Sequence, residues 1–167
     1  GGDQSGNIRI FAYADAAYGV HMDGKSHTGL IITLGRGPIY VKSGKQKCVT
    51  KSSCEAEIIL LSDIVATVAW MKDLIAELLG FTPPPVLMED NKAAIQLVQN
   101  GASTADRAKH VHIRNNFVFQ FLESGKMQIR HCPTNMILAD LLTKPLTTNI
   151  FIILREFLLG NKIAEQG

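Results

Sequence analysis

The chain has 167 residues, of which 46% are hydrophobic and 19% are charged. This length and composition suit one folded domain with its own core and exclude a disordered chain. The formal net charge of +2 is too small to identify a nucleic-acid partner by itself. The three cysteines, Cys48, Cys54 and Cys132, are odd in number and irregularly spaced, which favours a reducing compartment over a disulfide framework. No apolar run has the length of a membrane span, and no signal-peptide pattern opens the sequence.

The predicted elements alternate in an order typical of a mixed α/β sheet. In the first part of the chain, the pattern predicts strands at 8–15, 28–35 and 38–43, with 46–51 extending the third, and then a long apolar helix. In the second part, it predicts a strand at 83–90, helices at 91–99 and 108–124, a strand at 126–132, and helices at 135–144 and 149–160. Three early strands followed by βαβ units predict helices packed on a mixed sheet. We interpret residues 1–7 as a flexible leader, 8–160 as one domain and 161–167 as a tail.

The long helix begins with two glutamates in the stretch SSCEAEI. Steps of four and three residues from Glu57 reach only apolar residues: Leu61, Ile64, Val68, Met71, Ile75 and Leu78. Glu57 is therefore predicted to lie in line with the buried stripe, where a carboxylate is costly unless it is paired or binds a metal. The alternative is a frayed first turn that water can reach.

Glu55 is predicted to have a different role from Glu57. It lies about 160° around the helix from Glu57. Its own line is more polar and runs through Ile59, Ser62, Ala66 and Asp73. Ser52 and Glu55 also fit S-x-x-E, the capping box that satisfies backbone N–H groups at a helix start.

Three aspartates lie in or next to apolar segments in a similar way. Asp15 ends the first apolar strand, and Asp90 ends the strand VLME, where ligands of α/β proteins tend to bind. Asp140 lies inside the apolar stretch NMILADLLTK. Each of these two residues has an alternative role. Asp90 could cap the following helix, and Asp140 could lie on the exposed edge of an amphipathic helix. Together with Glu57, the aspartates predict a site for Mg²⁺ or Mn²⁺, because these ions prefer oxygen ligands.

Five segments in a fixed order resemble a known family. They read YADA (13–16), SSCEAEI (52–58), MEDNKAAI (88–95), KHVHIR (109–114) and LADLLTKPL (138–146). Together they resemble the ribonuclease H domain of the Gag-Pol polyprotein of copia-type LTR retrotransposons. The resemblance covers residues 8–160, and the joint occurrence of the segments is specific although each alone is weak.

The resemblance implies both a fold and a set of site residues. The fold is that of ribonuclease H, a five-stranded mixed sheet whose first three strands are antiparallel, flanked by helices. The implied catalytic and metal-binding residues are Asp15, Glu57, Asp90 and Asp140. The transferred glutamate is the second one of CEAE, in agreement with the helical phase, and all four acids are present.

The implied activity is hydrolysis of the RNA strand of an RNA–DNA hybrid during reverse transcription. The implied cofactors are two Mg²⁺ ions, with Mn²⁺ as a substitute. The implied partners are the hybrid and the reverse transcriptase domain of the same polyprotein, with no membrane, and we expect a cytoplasmic location within virus-like particles. The alternative is a noncatalytic module that binds nucleic acid or braces the reverse transcriptase; the intact set of acids favours the enzyme.

Two segments depart from the family pattern. The chain reads DAAY (15–18) where the family reads DADW, and KHVHIRNNF (109–117) where the family reads KHIDIRYHF. His131 falls in the strand predicted at 126–132, and no histidine lies between that strand and Asp140. No catalytic histidine is therefore assigned.

Two groups of basic residues are candidate phosphate contacts. The first lies near the third strand and comprises Lys42, Lys45, Lys47 and Lys51; the second comprises Arg107, Lys109, His110 and Arg114. The alternative for the first group is a solvated edge strand whose lysines prevent aggregation.

Overall fold

The computed structural model describes residues 8–35, 37–101 and 109–161. The strands are Phe11–Ala17 (β1), Lys25–Thr33 (β2), Pro38–Val49 (β3), Val86–Glu89 (β4) and Gln128–His131 (β5). The α-helices are Ser53–Leu79 (α1), Lys92–Asn100 (α2), Lys109–Glu123 (α3) and Thr148–Leu158 (α4). Two short 3₁₀ helices, Thr134–Met136 (η1) and Leu138–Leu142 (η2), precede α4.

The five strands form one mixed sheet in the order β3-β2-β1-β4-β5. The first three strands are antiparallel, whereas β4 is parallel to β1 and β5 is parallel to β4. The predicted fold class is therefore confirmed. The parallel arrangement brings the carboxyl ends of β1, β4 and β5 to one edge of the sheet, where the candidate acids lie.

Both faces of the sheet are covered, which is why all seven residues of β1 are buried. On one face, small residues such as Ala12 and Ala14 pack against the larger side chains of α1, including Leu61 and Ile64. On the other face, a second cluster joins Phe11, Tyr13 and Ile31 of the sheet to Ile137, Leu138 and Leu154. The alternation of small and large residues along β1 thus lets α1 approach one face closely.

The buried stripe of α1 is confirmed over most of its length. Glu57, Leu61, Ile64, Val68, Met71 and Ile75 are all buried. Leu78 is 73% exposed, so the prediction is wrong in the last turn of the helix. Ile59 was expected on the more polar side but is 2% exposed, because the helix is buried all round from Glu55 to Leu61.

The predicted helix at 135–144 is wrong. This segment forms η1 and η2, separated by Ile137, whose backbone is extended with ψ 106°. Pro133 and Pro145 flank this segment, and a residue with extended backbone inside it interrupts the i to i−4 hydrogen bonds that a continuous α-helix needs. The strand predicted at 83–90 starts only at Val86, because the three prolines before it lack the N–H that a ladder needs.

Several predictions concern residues outside the described part of the chain. These are the leader 1–7, most of the tail, Arg107, and the first residue of the helix predicted at 108–124. Among the described residues, no helix has both the length and the apolar character required to cross a membrane.

Candidate metal centre

Asp15 is the central acid of the site. It lies on β1, is 2% exposed, and pairs with Gly29 across the antiparallel ladder. The Thr143 hydroxyl donates a hydrogen bond to its Oδ2. The Lys144 ammonium lies 2.7 Å from its Oδ1. Asp15 therefore connects the middle of the sheet to the segment that follows η2.

Glu57 lies over the carboxyl end of β1, in the second turn of α1. Its Oε1 accepts a hydrogen bond of 3.1 Å from the backbone N–H of Ala16. Its Oε2 is buried and has no hydrogen-bond partner among the described residues. Glu57 is 3% exposed, which rules out the frayed-turn alternative.

Glu55 takes part in capping, as predicted. Its backbone N–H donates to the Ser52 side chain at 3.2 Å, and its own Oε2 accepts from the backbone N–H of Lys51 at 2.8 Å. The Glu55 side chain therefore bonds to Lys51, the residue before the N-cap Ser52. These bonds satisfy backbone groups at the start of α1 and fix the turn that leads to Glu57.

Asp90 follows β4 directly and does not cap α2. The cap is Asn91, whose Oδ1 accepts a hydrogen bond of 3.1 Å from the Ala94 N–H. Asp90 is thus left for the site: one oxygen each from Asp15, Glu57 and Asp90 lie within 4.8 Å of one another. Three converging carboxylates, with a buried and unpartnered oxygen on Glu57, fit a divalent cation with oxygen ligands.

Asp140 is brought to the site by close packing of η2 on β2. It is 4% exposed, so the exposed-edge alternative is wrong. The contact depends on Gly29, where an added Cβ would lie 2.9 Å from the Ala139 carbonyl oxygen and 3.0 Å from the Leu142 Cβ. Asp140 lies outside the three-carboxylate cluster and joins it through Lys144, whose ammonium is 2.9 Å from Asp140 Oδ1.

Burial and mutual repulsion perturb the carboxyl groups. Burial, followed by the charges of Glu89 and Asp15, raises the pKa of Glu57 well above its ordinary value. Burial also raises the pKa of Asp140 to about 6, against the opposing hydrogen bond from Lys144. A bound cation would relieve these costs, because opposite charge favours the ionised carboxylates.

Lys144 keeps its charge in this setting. Burial lowers its pKa, but the hydrogen bonds with Asp140 and Asp15 outweigh that effect and raise the pKa above the ordinary value for a lysine.

The sequence reasoning missed Glu89, Thr143 and Lys144. Glu89 is fully buried, one of its oxygens accepts from the Asn91 N–H, and burial raises its pKa to about 8. Strand alternation could have placed it on the same face as Leu87, towards α1. Lys144 follows Asp140 by four residues, a spacing typical of helical ion pairs; no comparable signal marks Thr143.

The candidate phosphate contacts are spread over two regions. Lys42, Lys45 and Lys47 are exposed on the edge strand β3, and Lys51 is exposed just before α1. Lys45 also binds Asp23 at 2.7 Å. Arg114 forms an ion pair with Asp63 that links α3 to α1, and Lys109 begins α3. Their contacts with nucleic acid stay predictions, as do the catalytic roles of the four acids.

Known proteins resemble the chain in sequence and in fold. No protein-family model matches the chain. The chain is 37% identical over 146 residues to the retrovirus-related Pol polyprotein from transposon RE1 of Arabidopsis thaliana, and 36% identical over 146 residues to that from transposon RE2 of the same plant. Each match covers 86% of the chain and 10% of the polyprotein. The chain thus spans about a tenth of the length of these relatives.

Solved structures share the fold at low sequence identity. LC11-RNase H1, isolated from compost, matches with a TM-score of 0.60 and 13% identity over 81% of this chain and 92% of that one. The protease-reverse transcriptase of prototype foamy virus matches with a TM-score of 0.53 and 12% identity over 95% of this chain and 21% of that one. The chain therefore has a ribonuclease H fold and is homologous, over 86% of its length, to one segment of the Pol polyproteins of copia-type retrotransposons.

Proposed function

We propose that this chain is a metal-dependent endonuclease that hydrolyses the RNA strand of RNA–DNA hybrids. The observation that carries the proposal is the convergence of Asp15, Glu57 and Asp90 at the carboxyl edge of a ribonuclease H-like sheet. Asp140 is linked to the same cluster through Lys144. Carboxylate oxygens gathered in this way suit a divalent cation that in turn binds the phosphate backbone of a nucleic acid.

Each acid has a distinct position from which to hold Mg²⁺ or Mn²⁺. Glu57 and Asp90 would hold one ion together with Asp15, and Asp140 would hold a second together with Asp15. When bound, such ions lower the pKa of an attacking water and stabilise charge on the leaving oxygen. Ala16 orients Glu57 by its N–H bond, and Thr143 orients Asp15 through its hydroxyl.

Substrate selection would come from the RNA strand. Contacts to 2′-hydroxyl groups distinguish RNA from DNA, while basic residues read the phosphate backbone. Lys47, near the end of β3, and Lys51, just before α1, are exposed and precede Glu57 by ten and six residues in the sequence. We propose these two lysines as the first phosphate contacts to examine, ahead of Arg114, which is already engaged with Asp63.

The homologous polyproteins suggest the setting in which the chain works. We propose that it acts beside the reverse transcriptase of the same polyprotein, where a hybrid is made and then consumed. A cytoplasmic location within virus-like particles follows from this proposal and stays a prediction.

The test is incubation with an end-labelled RNA–DNA hybrid in Mg²⁺, Mn²⁺ or Ca²⁺, beside duplex DNA and duplex RNA. We expect cutting of the RNA strand of the hybrid alone, in Mg²⁺ or Mn²⁺ and not in Ca²⁺. Comparable cutting of duplex DNA would contradict the proposed substrate. Tight hybrid binding without cutting in either active ion would support the noncatalytic module instead.

A further inference from the structure

The most informative contact at the site is made by a lysine. The Lys144 ammonium lies 2.7 Å from Asp15 Oδ1 and 2.9 Å from Asp140 Oδ1. The side chains of these aspartates are 2% and 5% exposed, so the pair would be two buried and repelling carboxylates without it. One positive charge therefore already lies between the two acids assigned above to the second ion.

We propose that Lys144 acts as a built-in cation at the position between Asp15 and Asp140, so that the second divalent ion binds there only by displacing it. This inference rests on the proposed function. It makes ion binding sequential, because Lys144 contacts Asp15 but neither Glu57 nor Asp90, and these two acids form no ion pair among the described residues.

Electrostatics make the lysine and the ion competitors. An ammonium and a divalent cation at the same pair of carboxylates repel each other at a distance of a few ångströms, and burial weakens the screening of that repulsion. The first ion needs Asp15 as well, but each carboxylate oxygen has two lone pairs and can accept more than one partner. Lys144 therefore competes mainly with the second ion, at the position between Asp15 and Asp140.

The local structure allows Lys144 to leave without unfolding η2. Its backbone N–H is held by the Asp140 carbonyl oxygen at 3.1 Å, so the main chain stays in place. The side chain is 35% exposed and has a route to solvent. Rotation of a flexible four-carbon stem is then enough to free the two carboxylates.

The test is calorimetric titration of the intact chain with Mn²⁺, without substrate. We expect two binding events in the parent, the second weaker. Lys144→Met should tighten the second event by on the order of tenfold, within the usual range of coupling between two sites. Lys25→Met is the matched control: this lysine is 31% exposed and also pairs with an aspartate, Asp23, which is not one of the four proposed ligands. It should leave both events unchanged.

A second measurement uses the parent protein alone, so the inference can be tested even if Lys144→Met does not fold. Acylation of lysines, followed by mass spectrometry, should show Lys144 protected without metal and several-fold more reactive in saturating Mg²⁺, with Lys25 unchanged. The inference is overturned if Lys144 stays protected at saturation and Lys144→Met binds the second ion no more tightly than the parent. If both measurements succeed but no hybrid is cut, the proposed function fails and the assignment of Lys144 stands.

Discussion

Single residues with raised pKa values make the metal-free site sensitive to pH. Glu89 has a folded-state pKa of about 8 against an ordinary value of 4.5, and Asp140 one of about 6 against 3.8. A carboxyl group with a raised folded-state pKa contributes stability that is full below its unfolded pKa and is lost as the pH rises through the folded one. The free energy of unfolding without metal should therefore fall between about pH 4 and pH 8.

Glu89→Gln tests whether the Glu89 carboxyl contributes to this fall in stability with rising pH. Glutamine can still accept the hydrogen bond from the Asn91 N–H but cannot ionise. We expect a flatter dependence of melting temperature on pH and a higher melting temperature at pH 8, measured in a chelator from pH 4.5 to 8.5. Glu77→Gln, at an exposed position of α1, should behave like the parent. An unchanged slope in Glu89→Gln would show that this carboxyl does not titrate as described.

Residue by residue, the sequence showed the acids better than their partners. Glu57 could be placed from helical phase alone, because a regular apolar stripe in a long helix leaves little freedom. Asp90 and Asn91 are adjacent, and local propensity favours either as a cap; only the register of α2 decides between them. Thr143 and Lys144 reach Asp15 across 128 and 129 residues of sequence, a relation that no local pattern contains.

Among the elements, η2 packs closely against its neighbour β2. It lies against β2 at Gly29, and a side chain there would collide with the backbone of η2. Gly29→Ala should move η2 away from the sheet and separate Asp140 from Asp15. We expect a loss of about 1–3 kcal/mol in stability, the usual range for overpacking, and a lower cleavage rate per folded molecule.

Gly44→Ala is the matched control for this change. Gly44 lies on β3, and an added Cβ would have no atom within 4 Å. Thermal melts and single-turnover cleavage by the two variants should differ clearly. If Gly29→Ala melts and cleaves like Gly44→Ala, the close packing of η2 is not what positions Asp140.

The prediction of elements failed where the apolar spacing is helical but the backbone is not, in the helix predicted at 135–144. The apolar spacing of 135–144 resembles a helix, but the extended backbone of Ile137 divides the segment into two 3₁₀ helices, and Pro133 and Pro145 limit it on either side. The strands were easier, because β1 and β2 are buried by helices or η2 and are rich in apolar residues.

At the scale of the whole molecule, metal binding should be coupled to stability. An ion that binds only the folded state raises the melting temperature by mass action. We expect Mg²⁺ to raise the melting temperature of the parent and to raise that of Asp15→Asn much less, since Asp15 serves both proposed ion positions. Equal shifts in the two proteins would place the ion elsewhere.

The topology itself was expected from the family resemblance, since element order alone does not set the strand order.

The most direct test compares two glutamates that lie two residues apart. Glu57→Gln keeps the shape of the side chain but removes a proposed ligand, whereas Glu55→Gln can still accept the capping bond from Lys51. Single-turnover hydrolysis of an RNA–DNA hybrid in Mg²⁺, with thermal melts alongside, separates the two roles. We predict that Glu57→Gln loses on the order of a hundredfold or more in rate while staying folded, and that Glu55→Gln cleaves nearly as the parent does. A dead Glu55→Gln beside a live Glu57→Gln would contradict the account of the site.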